Sequence, residues 1–121
     1  MSETSIVMHC DVVIRHIDRK LEQLDIEEQN AINRFIERRT RPKRKGWLFT
    51  KPEITKEMAE KMLDEPYHGD ILWDGISNRR FLLRRINYER EKLNRLKKMC
   101  YDACDGKITL SNDDYTMVMG E

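Results

Sequence analysis

The chain has 121 residues, a net charge of +1, and 37% charged against 39% apolar side chains. Typical domains carry about 45–50% apolar and about 25% charged residues, so a chain of one-domain length has only a thin core here, completed by elongation or by oligomerisation. Wholesale disorder is excluded by the low net charge and the recurring apolar positions, and a membrane-spanning helix by the lack of any run of about 20 apolar residues.

Met1-Ser2-Glu3-Thr4 is acidic where a secretory signal would start basic. The three cysteines fall in segments that read as helix interiors. An odd count in such places argues against a disulfide framework, so the expected compartment is the cytoplasm, with no membrane partner.

The first proline is Pro42 and the first glycine Gly46. Before them Cys10, Ile14, Ile17, Leu21, Leu24, Ala31 and Phe35 recur in steps of three and four, interrupted at Glu28. This seam predicts one long helix over about 5–39. Such a helix is ~50 Å long, more than the ~35 Å diameter of a compact globule of this size. A break at Asp25, with the Glu28 carboxylate completing a cap, is the alternative; with no breaker residue present, the single helix is preferred.

The connection, about 40–76, opens with Arg41-Pro42-Lys43-Arg44-Lys45-Gly46 and the short apolar run Trp47-Leu48-Phe49. Thr50 and Glu53 read as a capping box for a short helix carrying Ile54, Met58 and Met62 and stopping before Pro66. Tyr67 to Gly75 reads as a loop punctuated by Gly69 and Gly75. Ser77 is the expected N-cap of a second long helix over about 77–104, with a seam of Leu82, Ile86, Leu93, Leu96, Cys100 and Ala103. Gly106 stands where a helix ends. The last element, 105–121, has two readings. Either Ile108-Thr109-Leu110 pairs with Tyr115 to Met119 as a hairpin, or Ser111 and Asp114 cap a short helix bearing Tyr115, Val118 and Met119 on one face. The helix is slightly preferred. The expected fold is mainly α: an antiparallel pair of long helices with a short connecting helix and a small C-terminal element, a single helical domain over 1-121 that forms homo-oligomers.

Charge is laid out in blocks. Residues 1–33 carry a net −4, 34–51 +7, 52–78 −5, 79–98 +7 and 99–121 −4. If the long helices pack antiparallel, both basic blocks fall at one pole, where like charges repel unless something compensates. Arginine outnumbers lysine there, which suits bidentate phosphate binding. Trp47, Phe49, Tyr67, His68 and Trp73 lie in the same region, and rings among basic groups suit a nucleotide or single-stranded nucleic acid.

The expected function is therefore non-catalytic binding of a phosphate-bearing ligand, nucleic acid or nucleotide. Its candidate residues are Arg38, Arg39, Arg41, Lys43, Arg44, Lys45, Trp47, Trp73, Arg79, Arg80 and Arg84. The competing expectation is a protein-interaction module, an inhibitor or adaptor, in which the rings are core and the arginines meet an acidic partner or a second subunit.

Catalytic and metal signals are weak. Cys100 and Cys104 share a helical face and would approach His9 and Cys10, but Cys10 and Cys100 lie on the apolar seams and the usual zinc pairing of cysteines is missing. Aligning Gly106 with the invariant glycine of a calcium loop leaves the ligand carboxylates absent. No phosphate loop, GxSxG or HExxH occurs. A His68–Asp70 or His68–Asp74 pair could support acid–base chemistry, and Glu57, Glu60 and Asp64 alternate with lysines as a solvated face does. Nothing calls for a cofactor or a metal. The general character, a short charge-rich chain of long helices with an aromatic insertion, is that of small phage or plasmid accessory proteins.

Overall fold

The computed structural model describes residues 5–42 and 54–120, with the backbone alone at 44–45 and 48–49. In chain order the elements are β1 (Ser5–His9), α1 (Cys10–Thr40), β2 (Arg44–Lys45), β3 (Leu48–Phe49), α2 (Lys56–Met62), a 3₁₀ turn (Ile71–Trp73), α3 (Asn78–Leu82), α4 (Arg84–Asp102), β4 (Lys107–Ser111) and α5 (Asn112–Met119). The protein is mainly helical and divides into two compact units, one of Met1–Ile26 with Ile86–Glu121 and one of Glu27–Arg85. Among the described residues no helix is long and apolar enough to cross a membrane.

In the first unit the early part of α1 packs against α4. Cys10, Val13, Ile17 and Leu24 are buried on α1, and Ile86, Leu93, Leu96 and Cys100 on α4. These are the two expected seams, with Val13 added and Ile14 and Leu21 only half-buried. The ion pairs Asp18–Lys97 at 2.6 Å and Asp25–Arg90 at 3.0 Å fix the direction, because the α4 partner falls in number as the α1 partner rises. The helices are antiparallel, as the seams predict. Helix α1 runs unbroken through Asp25.

The start of α1 differs from expectation. Residues 5–9 form a strand, not the first turns of the helix, and pair antiparallel with β4 from Ser5↔Ser111 to His9↔Lys107. Ile6 and Met8 turn towards the core beside Leu110 and Ile108, while Ser5, Val7 and His9 are exposed. That alternation of period two satisfies a strand as well as the longer seam satisfied a helix, and five residues are too few to choose between the periods. The Cys10 N–H donates to the Gly106 carbonyl at 2.8 Å. Gly106 itself has φ +70°, the left-handed conformation that glycine adopts without strain.

The C-terminal element contains parts of both readings. The helix exists as α5, with the Ser111 hydroxyl accepting from the Asp114 N–H at 3.1 Å and Val118 buried. The strand exists too, but β4 pairs with β1, not with Tyr115 to Met119. Ser77 caps as expected, accepting from the Arg80 N–H at 3.1 Å. The helix it opens is only α3, however, and the chain turns at Leu83 before α4 begins. Leu83 is buried where the seam placed Leu82, and α4 stops at Asp102, short of Ala103 and Cys104.

The second unit holds the rest of α1 with β2, β3, α2 and α3, and buries Phe35, Ala59, Leu63 and Leu83. Strand β2 pairs antiparallel with β3 through Arg44↔Phe49 and Lys45↔Leu48. The cap of α2 is Thr55, accepting from the Met58 N–H at 3.2 Å; the Thr50 and Glu53 pair lies outside the described residues. Its inward face is Ala59 and Leu63, so Met58 points outward. Helix α2 is tied to α3 by Asn78 N–H to Glu65 O at 2.9 Å and Arg79 N–H to Leu63 O at 2.8 Å.

The two buried thiols of the first unit, Cys10 and Cys100, are neighbours. Burial first, and then the neighbouring Cys10, pushes the Cys100 thiol up to about 11 from an ordinary 9.0. A thiol that holds its proton more tightly folded than unfolded favours the fold below its unfolded value, and loses that contribution as pH rises. Urea midpoints should therefore fall between pH 9 and 11, and Cys100→Ala should flatten that fall. A thiol reagent should label Cys104 in the native protein and spare Cys10 and Cys100. Truncating the seam by Ile17→Ala or Leu93→Ala should cost about 2–5 kcal/mol, read by urea unfolding, while Val7→Ala should stay within about 0.5 kcal/mol.

Candidate functional site

The second unit, 27–85, carries 14 basic and 10 acidic side chains, and the first 9 and 12. The two basic blocks have different fates. The block 79–98 finds carboxylates within the fold: Arg79–Asp64 at 3.6 Å, Arg85–Glu27 at 2.9 Å, Arg90–Asp25 at 3.0 Å, Lys92–Asp114 at 3.5 Å and Lys97–Asp18 at 2.6 Å. The hydrogen bond that Lys97 donates to Asp18 is the largest cause holding the pKa of the Lys97 ammonium above its ordinary range.

The block at the end of α1 is different. Arg34, Arg38 and Arg41 are all exposed and spaced i, i+4, i+7, so they share one side of the helix and its C-terminal extension. Among the described residues only Arg41 has an ion pair, a long 3.7 Å contact with Glu37. Arg39 turns the other way, with its guanidinium 3.4 Å above the Phe35 ring. Partial burial first, and then the charge of Arg38, lowers its affinity for its proton. The stripe continues along the chain into β2, whose residues are Arg44 and Lys45. Lys43 and Trp47 lie outside the described residues, as do the side chains of Arg44 and Lys45.

The aromatic residues are held by one another. Tyr67 stacks on Phe81 with centroids 3.7 Å apart, and the Arg84 guanidinium sits 4.0 Å from the same ring. Two groups that close to one centroid occupy opposite faces, so Phe81 has no face left for a base. Trp73 meets Phe81 edge-on at 6.3 Å and is half-buried. Arg84 is further committed through a 2.6 Å bond to the Phe81 carbonyl. Of the expected ligand residues, Trp73, Arg79 and Arg84 thus have partners inside the unit, whereas Arg38 and Arg80 have no ion pair among the described residues.

The loop between Pro66 and Ser77 is closed by a bridge between those two residues and by Tyr67 N–H to Ile76 O at 2.6 Å. A Cβ at Gly69 would collide with the Tyr67 ring, and Gly75 has φ +87°, so both positions require glycine. His68 Nδ1 lies 2.9 Å from Asp74 with both side chains exposed, while Asp70 caps the 3₁₀ turn by accepting from the Leu72 N–H at 3.0 Å. The pair has no nucleophile beside it in the cavity of about 320 Å³ that it lines with Gly69 and Ile71, and its visible work is to brace the loop. At the tip Ile71 is 95% and Leu72 88% exposed. In the first unit a cleft of about 410 Å³ opens between α1 and α5, lined by His16, Arg19, Lys20, Gln23, Val118 and Met119. No group of His, Cys, Asp and Glu among the described residues could hold a metal ion.

Compared with family models, curated proteins and solved structures, the chain shows no significant match. The functional reading therefore rests on the chemistry of these surfaces.

Sequence reasoning missed two features. The different fates of the basic blocks depend on register across the helix pair, which block charges do not contain. The apolar tip had a signal, Ile71 and Leu72 between Asp70 and Asp74 in a loop, but its exposure depends on which ring of the loop tucks in. Replacing Phe81 by Leu removes the ring that Tyr67, Trp73 and Arg84 share. It should lower stability by about 0.5–1.5 kcal/mol through lost aromatic pairing and shift Trp73 emission to the red, measured in a Trp47→Phe background.

Proposed function

We propose that this chain binds nucleic acid through the arginine stripe at the end of α1, Arg34, Arg38 and Arg41, continued by Arg44 and Lys45 of β2. The observation that carries the reading is the contrast between the basic blocks. In one, Arg79, Arg85, Arg90, Lys92 and Lys97 meet carboxylates within the fold, and in the other Arg34, Arg38 and Arg41 present exposed guanidinium groups that repel one another. Like charges at i, i+4 cost about 0.2–0.5 kcal/mol per pair. The negative end of the helix dipole offsets part of that cost, and a polyanion would remove the rest.

Extent favours a strand of phosphates over a single nucleotide. From Arg34 to Arg41 the helix rises ~10 Å, a row and not a cradle, and the cavities described above are lined by other side chains. Forked guanidinium groups along a row give bidentate contacts to successive phosphates without reading sequence. Trp73 is engaged with Phe81 and takes no part in this reading, and Trp47 lies outside the described residues.

The test is fluorescence anisotropy with single- and double-stranded oligonucleotides over a salt series, beside the ratio of absorbance at 260 to 280 nm of the purified protein. The triple change Arg34→Ala, Arg38→Ala, Arg41→Ala should weaken binding and reduce the salt slope by about 0.9 per lost contact on duplex DNA. Melting should move little, as for most surface substitutions. Arg79→Ala and Arg84→Ala should leave the salt slope where it is. Unchanged affinity and slope in the triple variant would overturn the proposal, and capture of an acidic protein by the same arginines would replace it.

A further inference from the structure

We propose that the Ile71–Leu72 tip of one copy docks in the cleft between α1 and α5 of a second copy. Two adjacent aliphatic side chains stand almost fully in water at the tip, and removing them from water favours association. They are not on a loose loop. Asp70 caps the turn, the Trp73 N–H donates to the Asp70 carbonyl at 3.1 Å, Trp73 rests on Phe81, and His68 holds Asp74. A tip ordered before it binds loses little conformational freedom on docking. Such order is out of proportion to a solvated loop.

The occupant follows from shape and charge. The tip is flanked by two carboxylates, Asp70 and Asp74, so it fits an apolar recess with a cationic rim. The α1–α5 cleft offers the half-buried Met119 as its apolar side, Val118 being fully buried, with Arg19 and Lys20 on its rim. Its volume of about 410 Å³ lies within the ~300–1,000 Å³ range of sites that enclose small ligands, room for two aliphatic side chains. Met119 can adjust to their shape. Lys20 donates to the Gly120 carbonyl and so stands fixed at the rim, while Arg19 has no ion pair among the described residues. The cavity beside Tyr88 and Arg95 is only about 120 Å³, and the one at His68 is the foot of the tip itself.

The contact joins unlike surfaces. If two copies exchange tips reciprocally, a dimer closes; if the contact runs one way, it grows into a ring or a chain. Sedimentation velocity from low to high micromolar concentration, with oligonucleotide absent, tests the idea. The wild type should associate with rising concentration. Leu72→Asp, which spoils the tip, and Arg19→Glu, which spoils the rim, should each weaken association at least tenfold. Both positions are exposed, so far-UV spectra and melting should match the wild type, and oligonucleotide binding by the α1 stripe should be unchanged. Mixing the two variants is decisive: the intact tip of the Arg19 variant can enter the intact cleft of the Leu72 variant, so mixed species should form. A wild type that stays monomeric, variants that associate like the wild type, or a mixture that does not associate would each overturn the proposal.

Discussion

The register of α1 against α4 governs the first unit, and two kinds of force set it. Burial of Ile17, Leu24, Leu93 and Leu96 supplies most of the stabilisation, but apolar contact is non-directional and tolerates sliding. Asp18 and Asp25 are one heptad apart, and so are Arg90 and Lys97. A slide of one heptad in either direction therefore leaves only one of the two pairs. Ion pairs this exposed contribute too little to hold a fold, and enough to choose among registers of similar burial. The contact of Cys10 with Cys100 adds a second check, because a slipped pair would set a small thiol against a larger side chain.

This gives a physical meaning to the alternation of charge along the chain. A reading from block totals places both basic segments at one pole and lets them repel. The folded chain instead runs the acidic first half of α1 beside the basic α4, so much of the second block is neutralised by register. What remains is local: the arginines at the end of α1, where the helix dipole tolerates positive charge. The seams were legible because a 3.6-residue period survives over twenty residues or more. The β1–β4 pair was not, because strands of five residues carry little periodicity and their partner lies about a hundred positions away. The turn at Leu83 was also hidden, since Leu82 and Leu83 offer the same composition to two helical phases. Caps fared better. Ser77 and Ser111 act through their own side chains on the next turn, an interaction that sequence alone contains.

The loop from Pro66 to Ser77 shows why the aromatic signal was ambiguous. Rings among arginines can serve a ligand or one another, and the composition is the same. Here Phe81 is covered on both faces and Trp73 is braced against its edge, so the rings stiffen the loop. Stiffness then has a different beneficiary: the two aliphatic residues that the loop holds out to solvent.

The second unit is one continuous stretch of chain, and the first is made of the two stretches on either side of it. During synthesis β1 and the start of α1 emerge before the segment 27–85, and α4, β4 and α5 after it. The segment 27–85 can collapse on its own as it leaves the ribosome, as contiguous units generally do. Strand β1 meanwhile has no partner until β4, about a hundred residues later, has been made. Closing so long a loop adds only about 0.6 kcal/mol for each doubling of its length, and an early-folded insert shortens the effective loop further. The exposed strand edge is thus a transient feature of the nascent chain, a waiting template that lasts until β4 arrives.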